Sequence, residues 1–203
     1  SPAQGRLLTV SRSGMVKYTD FAELESRKQK IIACGLKPKD ELLLAEADIP
    51  ALPNLLLITK AGMSICFSKE EISLQGKTGK GVGGIKLAAG DSIIFAAQTD
   101  GQGNLAIFSE LGFAKQSKLS EYEVQGRNGK GLKTFQWAKG GANGSYLVAA
   151  VLLTKPAAFE VVTNSGQLYP LTSAELPLEE RYSKGAQLVP AMLGDFVAEV
   201  RSF

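Results

Sequence analysis

Two short stretches combine lysine, arginine and glycine at a spacing that could contact phosphate. Residues Gln75–Gly81 read Gln-Gly-Lys-Thr-Gly-Lys-Gly, and fifty residues later Gln125–Gly131 read Gln-Gly-Arg-Asn-Gly-Lys-Gly. Glycine permits positive φ and a close approach of the backbone. Backbone N–H groups and basic side chains could therefore converge on phosphate oxygens, a contact that positions nucleic acid without reading its sequence. The alternative is that these are exposed turns whose charge discourages strand-to-strand aggregation.

Each basic stretch follows a predicted turn glycine at a constant distance, which indicates a repeated unit. Lys80 lies eighteen residues after Gly62, and Lys130 lies eighteen residues after Gly112. Lys184 stands at the same distance from Gly166. With Gly14, the four turn glycines are separated by 48, 50 and 54 residues. Self-similarity at this period is typical of propellers and solenoids.

The elements that must position the basic stretches are predicted to be strands. Runs of alternating, β-branched residues on both sides of each turn glycine predict four hairpins. They are Leu7–Ser11 with Met15–Tyr18, Leu55–Thr59 with Met63–Phe67, Leu105–Ser109 with Phe113–Gln116, and Phe159–Thr163 with Gln167–Leu171. Further strands are predicted at Leu42–Ala45, Ile85–Leu87, Ile93–Ala97, Leu132–Phe135, Tyr146–Leu153 and Val197–Val200, and a short helix near Ala22–Glu25.

These elements predict an all-β, propeller-like array of about four blades in one domain over residues 1–203. The blade repeats are expected at about 4–48, 49–100, 101–153 and 154–203. A β-sandwich with similar turns is the alternative, but it does not explain the constant offset of eighteen residues. The start, Ser1-Pro2-Ala3-Gln4, carries no signal peptide, and we expect the chain to be a piece of a longer protein.

Composition excludes several functions. The chain has no histidine, which rules out zinc sites of the common Cys/His kinds and histidine-based triads. Cys34 and Cys66 lie in apolar stretches and are expected to be buried thiols. No run of eighteen apolar residues is present, so we expect no membrane partner and a cytoplasmic location. The net charge of +3 is too small to indicate a nucleic-acid partner without a clustered basic face.

Other motifs fail on their context. Gly79–Gly84 matches Gly-x-Gly-x-x-Gly, but a dinucleotide fingerprint needs a following helix, and a strand is predicted there. Gly76-Lys77-Thr78 is not a Walker motif, since Glu71 occupies the required glycine position. The acid pairs Glu70-Glu71 and Glu179-Glu180 are expected to be solvated, because adjacent residues on a strand point to opposite faces. We predict a non-catalytic chain.

The repeat resembles that of the carboxy-terminal domain of type IIA topoisomerase A subunits, the family of bacterial gyrase A and the A subunit of topoisomerase IV. The resemblance rests on Lys80–Asp91, on Ser120–Gln125 and on the hairpin before each basic stretch, and it covers essentially all four units. Leu176–Gly185 is similar to the final blade of Gram-positive topoisomerase IV A subunits. The gyrase box, Gln-Arg-Arg-Gly-Gly-Arg/Lys-Gly, is not matched at Gly76, Thr78, Gly126 or Asn128. This departure favours topoisomerase IV, or a fragment that lacks the box-bearing blade.

The resemblance implies a β-pinwheel, whose blades exchange strands and whose rim binds and bends duplex DNA. Family members usually have five or more blades, so four visible units imply a truncated or open ring. The residues expected to contact DNA are Lys77, Lys80, Lys86, Arg127, Lys130, Lys133, Arg181 and Lys184, with Lys28 and Lys30 as degenerate counterparts in the first unit. If about eight phosphates are neutralised, affinity should fall by roughly three to five decades between 50 and 200 mM salt.

The resemblance also implies partners that lie outside this chain. They are the remainder of the topoisomerase A subunit and an ATPase B subunit, in a bacterial, nucleoid-associated enzyme. No cofactor is expected in this domain, whereas the parent enzyme is expected to use ATP and Mg²⁺ through other domains or subunits. The alternatives are a gyrase A domain that wraps DNA and a protein-interaction propeller that binds no DNA.

Overall fold

The computed structural model describes residues 4–190 and 192–203. Ser1-Pro2-Ala3, on which the expectation of no signal peptide partly rests, lies outside the described residues. Within them the chain forms strands, short 3₁₀ turns and one four-residue helix, α1 (Phe21–Leu24). The strands are β1 (Arg6–Ser11), β2 (Met15–Asp20), β3 (Leu42–Ala47), β4 (Asn54–Thr59), β5 (Met63–Ser68), β6 (Val82–Gly83), β7 (Ile93–Thr99), β8 (Asn104–Ser109), β9 (Phe113–Lys118), β10 (Val124–Gln125), β11 (Leu132–Lys133), β12 (Leu147–Leu153), β13 (Ala158–Thr163), β14 (Leu168–Thr172), β15 (Ala186–Gln187) and β16 (Val197–Ser202). The 3₁₀ turns are Lys69–Glu71, Leu119–Glu121, Lys139–Gly141 and Ser173–Glu175.

The four predicted hairpins are confirmed, and each turns at its predicted glycine. The N–H of Gly14 donates to the Ser11 carbonyl at 3.0 Å, and φ at this glycine is +84°. The other three glycines make the same bond to the residue three positions earlier and also have positive φ. Glycine is needed there because other residues rarely adopt this conformation.

Each of the first three sheets is completed by a short strand from the following repeat. The first sheet has the order β3-β1-β2-β6, and the third has the order β12-β8-β9-β15. In the second sheet, β10-β5-β4-β7, both β10 and β11 pair with β5. These additions are the exchanged strands that a pinwheel implies. The fourth sheet, β14-β13-β16, contains three strands, and within the described residues no further strand is added to β14.

The chain divides into two compact units, and each has its own core. The first contains the residues up to Leu57 together with Ile65–Asp100 and Val124–Gly131, and the second contains Ile58–Ser64, Gly101–Glu123 and Leu132–Phe203. In the first unit the core is built on alternating strand positions such as Leu8, Val10, Val16, Tyr18, Leu55, Leu57 and Phe67. In the second it includes Ala106, Phe108, Ala114, Phe159, Val161 and Val189. A single domain over 1–203, with the blade boundaries given above, remains a prediction.

A charged network lies beside the first core, with the Lys69 and Asp48 side chains buried and that of Arg6 partly exposed. The Asp48 carboxylate accepts hydrogen bonds from Lys69 Nζ at 2.5 Å, Arg6 Nη2 at 2.8 Å and the Tyr18 hydroxyl at 2.9 Å. Lys69 Nζ also donates to Gln98 Oε1 at 2.7 Å. Burial alone would raise the pKa of Asp48, but the donors around it outweigh burial and lower it to about 2.

Several local predictions were wrong or too long. Residues 85–87 are not a strand: the strand ends at Gly83, and Ile85 is instead buried in the first core. The strand predicted over Leu132–Phe135 is limited to β11, after which Phe135 packs against Trp137 with ring centres 4.6 Å apart. The backbone at these points bonds to a loop or a turn instead of to a strand ladder: the N–H of Lys86 donates to the Gly129 carbonyl, and that of Thr134 donates to the Gly62 carbonyl.

The cysteine prediction holds for one residue of two. Cys66 is buried, and burial raises the pKa of its thiol to about 11. Cys34 is only half-buried, and its Sγ lies 3.6 Å from Thr9 Oγ1. Across residues 4–190 and 192–203, no helix is long and apolar enough to cross a membrane, and no group of three or more acidic or cysteine side chains could hold a metal ion.

Candidate nucleic-acid interface

Three loops that carry lysine or arginine occupy equivalent positions, and the third also contains Glu179 and Glu180. The first two, loop 1 (Gln75–Gly81) and loop 2 (Gln125–Gly131), belong to the first compact unit. The third, loop 3 (Glu179–Gly185), belongs to the second unit. Each loop begins next to the second strand of the preceding hairpin and ends at a glycine with positive φ. The exchanged strand follows immediately in every case, so the hairpin of one repeat holds the loop of the next repeat.

A glutamate of the preceding repeat holds the third residue of every loop. Glu23 Oε2 accepts from the N–H of Lys77 at 3.3 Å, and Glu121 Oε2 accepts from the N–H of Arg181 at 2.7 Å. In loop 2, Glu71 accepts from the N–H of Arg127, with its two oxygens at 3.2 and 3.3 Å. Each glutamate lies in the short helical turn after a hairpin, nine residues past the turn glycine.

The fifth residue of each loop is held through its carbonyl group. The carbonyl of Gly129 accepts from the N–H of Lys86 at 2.9 Å, and that of Ser183 accepts from the N–H of Gln136 at 2.8 Å. In loop 1 the Gly79 carbonyl accepts from the N–H of Gly35 at 3.1 Å. The donor always belongs to the preceding repeat. Lys86 and Gln136 lie just after the loop and exchanged strand of their own repeats, and Gly35 lies in the corresponding segment of the first repeat. Each loop is therefore fixed at two backbone points whose positions repeat along the chain.

Loops 1 and 3 are also held from below by fully buried lysines. Lys17 Nζ donates to the carbonyl of Gly76 at 3.0 Å, with the Lys77 carbonyl at 3.4 Å. Lys115 Nζ donates to the carbonyls of Glu180 at 2.9 Å and Arg181 at 2.6 Å. Both lysines lie three residues after a turn glycine, and the exposed fraction is 1% for Lys17 and 0% for Lys115.

In loop 2 an isoleucine replaces the buried lysine. Ile65 occupies the equivalent position beneath loop 2, where a Cβ atom added to Gly129 would lie 3.8 Å from Ile65 Cδ1.

For Lys115, burial lowers the pKa of the ammonium to about 8, although the nearby Glu179 and Glu121 oppose this effect. The acceptors around Lys115 compensate for its removal from water.

The structure separates the eight predicted DNA-contacting residues into two groups. Six lysines have exposed side chains, and among the described residues none of them forms an ion pair; they are Lys77, Lys80, Lys86, Lys130, Lys133 and Lys184. The two arginines are half-buried and bind the polypeptide itself. Arg127 Nη1 donates to the Gly83 carbonyl at 2.5 Å, and Arg181 Nη1 donates to the Lys133 carbonyl.

Within the first unit, Lys86 lies beside loop 2. Its N–H bonds to Gly129, and the N–H of Asn128 donates to the Gly84 carbonyl at 2.9 Å. Within the second unit, Lys133 lies beside loop 3, with Nζ 5.7 Å from the centre of the Tyr182 ring. Lys86 and Lys133 are thus each placed beside the loop of the next repeat.

Two further expectations need correction. The prediction that the backbone N–H groups of the loops face phosphate is wrong for several of them: those of the third residues bind glutamates, and those of Gly81 and Gly185 bind Gln75 and Glu179. The acid pairs do not lie on strands either. Glu71 belongs to a 3₁₀ turn and Glu179 to a loop, and both accept backbone hydrogen bonds.

Lys28 and Lys30 do not form a fourth loop of this kind. They are exposed in the segment between α1 and β3, where the described residues form no strand. The first repeat is shorter here: Gly35 lies 21 residues past its turn glycine, whereas Lys86 and Gln136 lie 24 residues past theirs. Their DNA contact remains a prediction.

Sequence reasoning missed the residues that hold the loops. A signal was present, since glutamate recurs nine residues after every turn glycine, at Glu23, Glu71, Glu121 and Glu175. Lysine three residues after Gly14 and Gly112 was a weaker signal, because lysine is normally exposed on a strand. Only the exchange of strands between repeats explains why these positions face a loop.

Hairpins that repeat along the chain, the first three of which each hold a loop and a short strand of the next repeat, define a propeller-type repeat protein. A family model described as the DNA gyrase C-terminal domain, a β-propeller, matches residues 5–46, 53–100 and 103–136, which is more than half of the chain. The chain belongs to this family.

Sequence relatives agree with this assignment. The DNA gyrase A subunit of Mycolicibacterium smegmatis is 30% identical over 192 residues, covering 93% of this chain and 22% of the relative. The gyrase A subunit of Staphylococcus epidermidis is 27% identical over 197 residues, covering 96% of this chain and 22% of the relative. The chain therefore spans about a fifth of the length of these relatives.

Solved structures confirm the fold class. The crystal structure of the C-terminal domain of DNA topoisomerase IV matches with a TM-score of 0.90 at 23% identity, over 98% of this chain and 62% of that one. The structure of a DNA gyrase A C-terminal domain matches with a TM-score of 0.82 at 20% identity, over 100% of this chain and 67% of that one. The all-β, propeller-like array predicted from the repeat and the pinwheel implied by the family resemblance are confirmed.

Proposed function

We propose that this chain is the duplex-DNA-binding domain of a type IIA topoisomerase A subunit and that it binds DNA without reading its sequence. The observation that carries the proposal is the set of six exposed lysines without ion pairs among the described residues, on or next to loops held in one repeated way. Lysine ammonium groups bind phosphate as point charges, and fixed loops lower the entropy lost on binding.

The proposed mechanism is capture and bending of a DNA segment, which the rest of the enzyme then receives for strand passage. Bending 20 to 30 base pairs by 40 to 90° costs roughly 1 to 6 kcal/mol. Phosphate contacts from several loops offset this cost. The domain itself has no proposed catalytic residue: the parent enzyme would be an ATP-dependent isomerase in the bacterial cytoplasm, associated with the nucleoid. Its other domains and an ATPase B subunit would supply ATP and Mg²⁺ chemistry.

The parent is proposed to be closer to topoisomerase IV, because neither Gln75–Gly81 nor Gln125–Gly131 contains the arginine-rich gyrase box. The gyrase alternative has support from the sequence relatives, which are gyrase A subunits. Resealing a nicked circle around the isolated domain separates the two proposals. A topoisomerase IV-like domain should constrain little positive writhe, and a clear positive writhe would assign the chain to gyrase.

The DNA proposal itself is tested by fluorescence anisotropy with a labelled duplex of random sequence. We expect binding at low salt, with a logarithm of the association constant that falls linearly with the logarithm of salt concentration, by about 0.9 for each phosphate contact. A duplex of a second, unrelated sequence should bind equally well. Absence of binding at low salt, or a response that is flat in salt, would favour a protein-interaction propeller.

A further inference from the structure

We infer that the backbone N–H groups of Thr78 and Tyr182 donate to phosphate oxygens of the bound DNA, and that the buried Lys17 and Lys115 aim them outward. The inference deepens the proposed function and rests on it.

The geometry follows from two peptide groups in each loop. Lys17 binds the carbonyls of Gly76 and Lys77, and Lys115 binds those of Glu180 and Arg181. In a trans peptide the C=O and N–H groups point in opposite directions. A carbonyl drawn inward toward a buried ammonium therefore turns the N–H of the same peptide away from it.

The first of these two amides in each loop is already used. The N–H of Lys77 binds Glu23, and that of Arg181 binds Glu121. The second amide belongs to Thr78 in loop 1 and to Tyr182 in loop 3. Both residues are exposed, and within the described residues no acceptor binds either N–H. An amide N–H turned toward solvent beside lysine side chains can bind a phosphate oxygen.

Loop 2 provides an internal contrast. Ile65 replaces the buried lysine, and the equivalent residue, Asn128, adopts φ of +65°. Its N–H is not turned outward but donates to the Gly84 carbonyl at 2.9 Å. The available amide thus occurs in the two loops that a buried lysine supports, and it is absent from the described loop that lacks one.

Three further groups bear on the charge of Lys115. Glu179 and Glu121 favour its ammonium form, and Arg181 disfavours it. Its third hydrogen bond is to Ser183 Oγ at 2.9 Å, and the Phe135 ring lies 5.9 Å from Nζ. A methionine at position 115 would keep the side-chain volume but could not hold the carbonyls. Lys17→Met provides the same change under loop 1.

The experiment is amide NMR of the intact 203-residue chain, titrated in parallel with duplex DNA and with inorganic phosphate. We expect the amide resonances of Thr78 and Tyr182 to shift in a saturable manner with DNA, while Asn128, whose amide is already bonded, shifts little. If the amides respond to DNA but not to inorganic phosphate, they bind a phosphate group only when the other contacts of the DNA are also made. If they respond to DNA and to inorganic phosphate, the loop is an anion site by itself. Either response supports donation by these amides.

The two lysine variants make the test specific. Lys115→Met should abolish the Tyr182 response and leave that of Thr78, whereas Lys17→Met should do the reverse. Each should weaken DNA binding about three- to tenfold, as expected for one lost hydrogen bond. If Lys115→Met does not fold, the wild-type titration and Lys17→Met still decide the question. DNA binding without a shift at Thr78 and Tyr182 would overturn this inference alone, and absence of DNA binding would overturn the proposed function as well.

Discussion

The carboxylate of Glu71 accepts hydrogen bonds from the backbone N–H of Arg127, fifty-six residues further along the chain, at 3.2 and 3.3 Å. This contact couples the end of one hairpin to the basic loop of the next repeat. Because Glu23 and Glu121 make the equivalent contact, each loop is held by the preceding repeat as well as by bonds within the loop, such as that from the Gly81 N–H to Gln75 Oε1. Glycine-rich loops of this composition have many conformations when they are not held.

Glu71→Ala should therefore loosen loop 2 while the hairpins remain folded. A hydrogen bond to a carboxylate is worth about 1.5 to 3 kcal/mol, and the exposure of Glu71 places this one at the lower end. We expect faster trypsin cleavage after Arg127 and Lys130, measured by mass spectrometry of the fragments. Glu175→Ala is the matched control, since Glu175 lies nine residues after its turn glycine but binds Thr172 within its own capping box. Equal acceleration in both variants would contradict a specific role for Glu71.

Neutralising one exposed lysine in each loop should weaken DNA binding through its electrostatic part. We expect Lys80→Gln, Lys130→Gln and Lys184→Gln together to reduce the slope of log affinity against log salt by about 3, since each lost phosphate contact removes about 0.9. The measurement is a salt titration of duplex binding by anisotropy. The control carries the same charge change at three exposed lysines outside the loops, Lys37, Lys118 and Lys155. A similar loss of slope in the control would show that overall charge, and not the loops, governs binding.

The sequence was sufficient to locate the hairpins, because turn glycines and alternating strands are local signals. The offset of eighteen residues also located the three loops correctly. The contacts that hold each loop could not be predicted in this way, since Glu71 and Arg127 meet only when the following repeat adds a strand to the preceding sheet. The strand predicted at Ile85–Leu87 failed for a related reason. Ile85 and Leu87 pack in the first core, and the backbone N–H of Lys86 bonds to loop 2 instead of to a neighbouring strand.

The buried lysines show a second limit of sequence reasoning. Lys17 and Lys115 are buried in strands, although lysine is ordinarily exposed. Their burial depends on carbonyl oxygens that are supplied from 59 to 66 residues away. Local patterning contains no information about those acceptors, so the two residues most closely engaged with loops 1 and 3 were not among the predicted ones.

The close approach of loop 1 to β2 requires glycine at position 81. Its φ is +80°, and a Cβ atom there would lie 2.3 Å from the Val16 carbonyl oxygen. Gly81→Ala should destabilise the fold by at least about 2 kcal/mol, because left-handed strain and a backbone clash add together. Gly126→Ala is the control, with no atom within 4 Å of the added Cβ, and should change stability by no more than about 0.5 kcal/mol. Urea unfolding of both variants provides the comparison, and equal stabilities would contradict the close approach.

The Asp48 network should make stability sensitive to acid. The pKa of Asp48 is about 2 in the folded chain and near 3.8 when unperturbed, so the unfolded chain binds more protons between these values. The stabilisation by this group is therefore fully present above about pH 4 and is lost as pH falls toward about 2. Asp48→Asn should cost about 3 to 5 kcal/mol at neutral pH, because it leaves the buried Lys69 ammonium without its counter-charge.

Replacing both members of that pair tests the cause of the loss. Asp48→Asn with Lys69→Met removes the uncompensated charge, so we expect the double variant to be more stable than Asp48→Asn alone. The free energy of unfolding of each variant, measured in urea at neutral and acidic pH, gives both answers. A single variant that is no less stable than the double variant would show that the ion pair does not stabilise this region.

Lys115 should make DNA affinity and folding stability respond to pH in opposite directions. Burial lowers the pKa of its ammonium from 10.5 to about 8, so between these values the unfolded chain binds more protons than the folded chain. Folding stability attributable to Lys115 therefore increases as pH rises through this window.

Over the same pH window the positive charge of Lys115 is lost, and the neutral amine has too few N–H donors for its three acceptors in loop 3. We expect the affinity advantage of wild type over Lys115→Met to shrink as pH rises past about 8, while its relative stability improves. Duplex binding and urea unfolding of both proteins on either side of that pH measure the two effects, and parallel changes in affinity and stability would refute the assignment of both to this lysine.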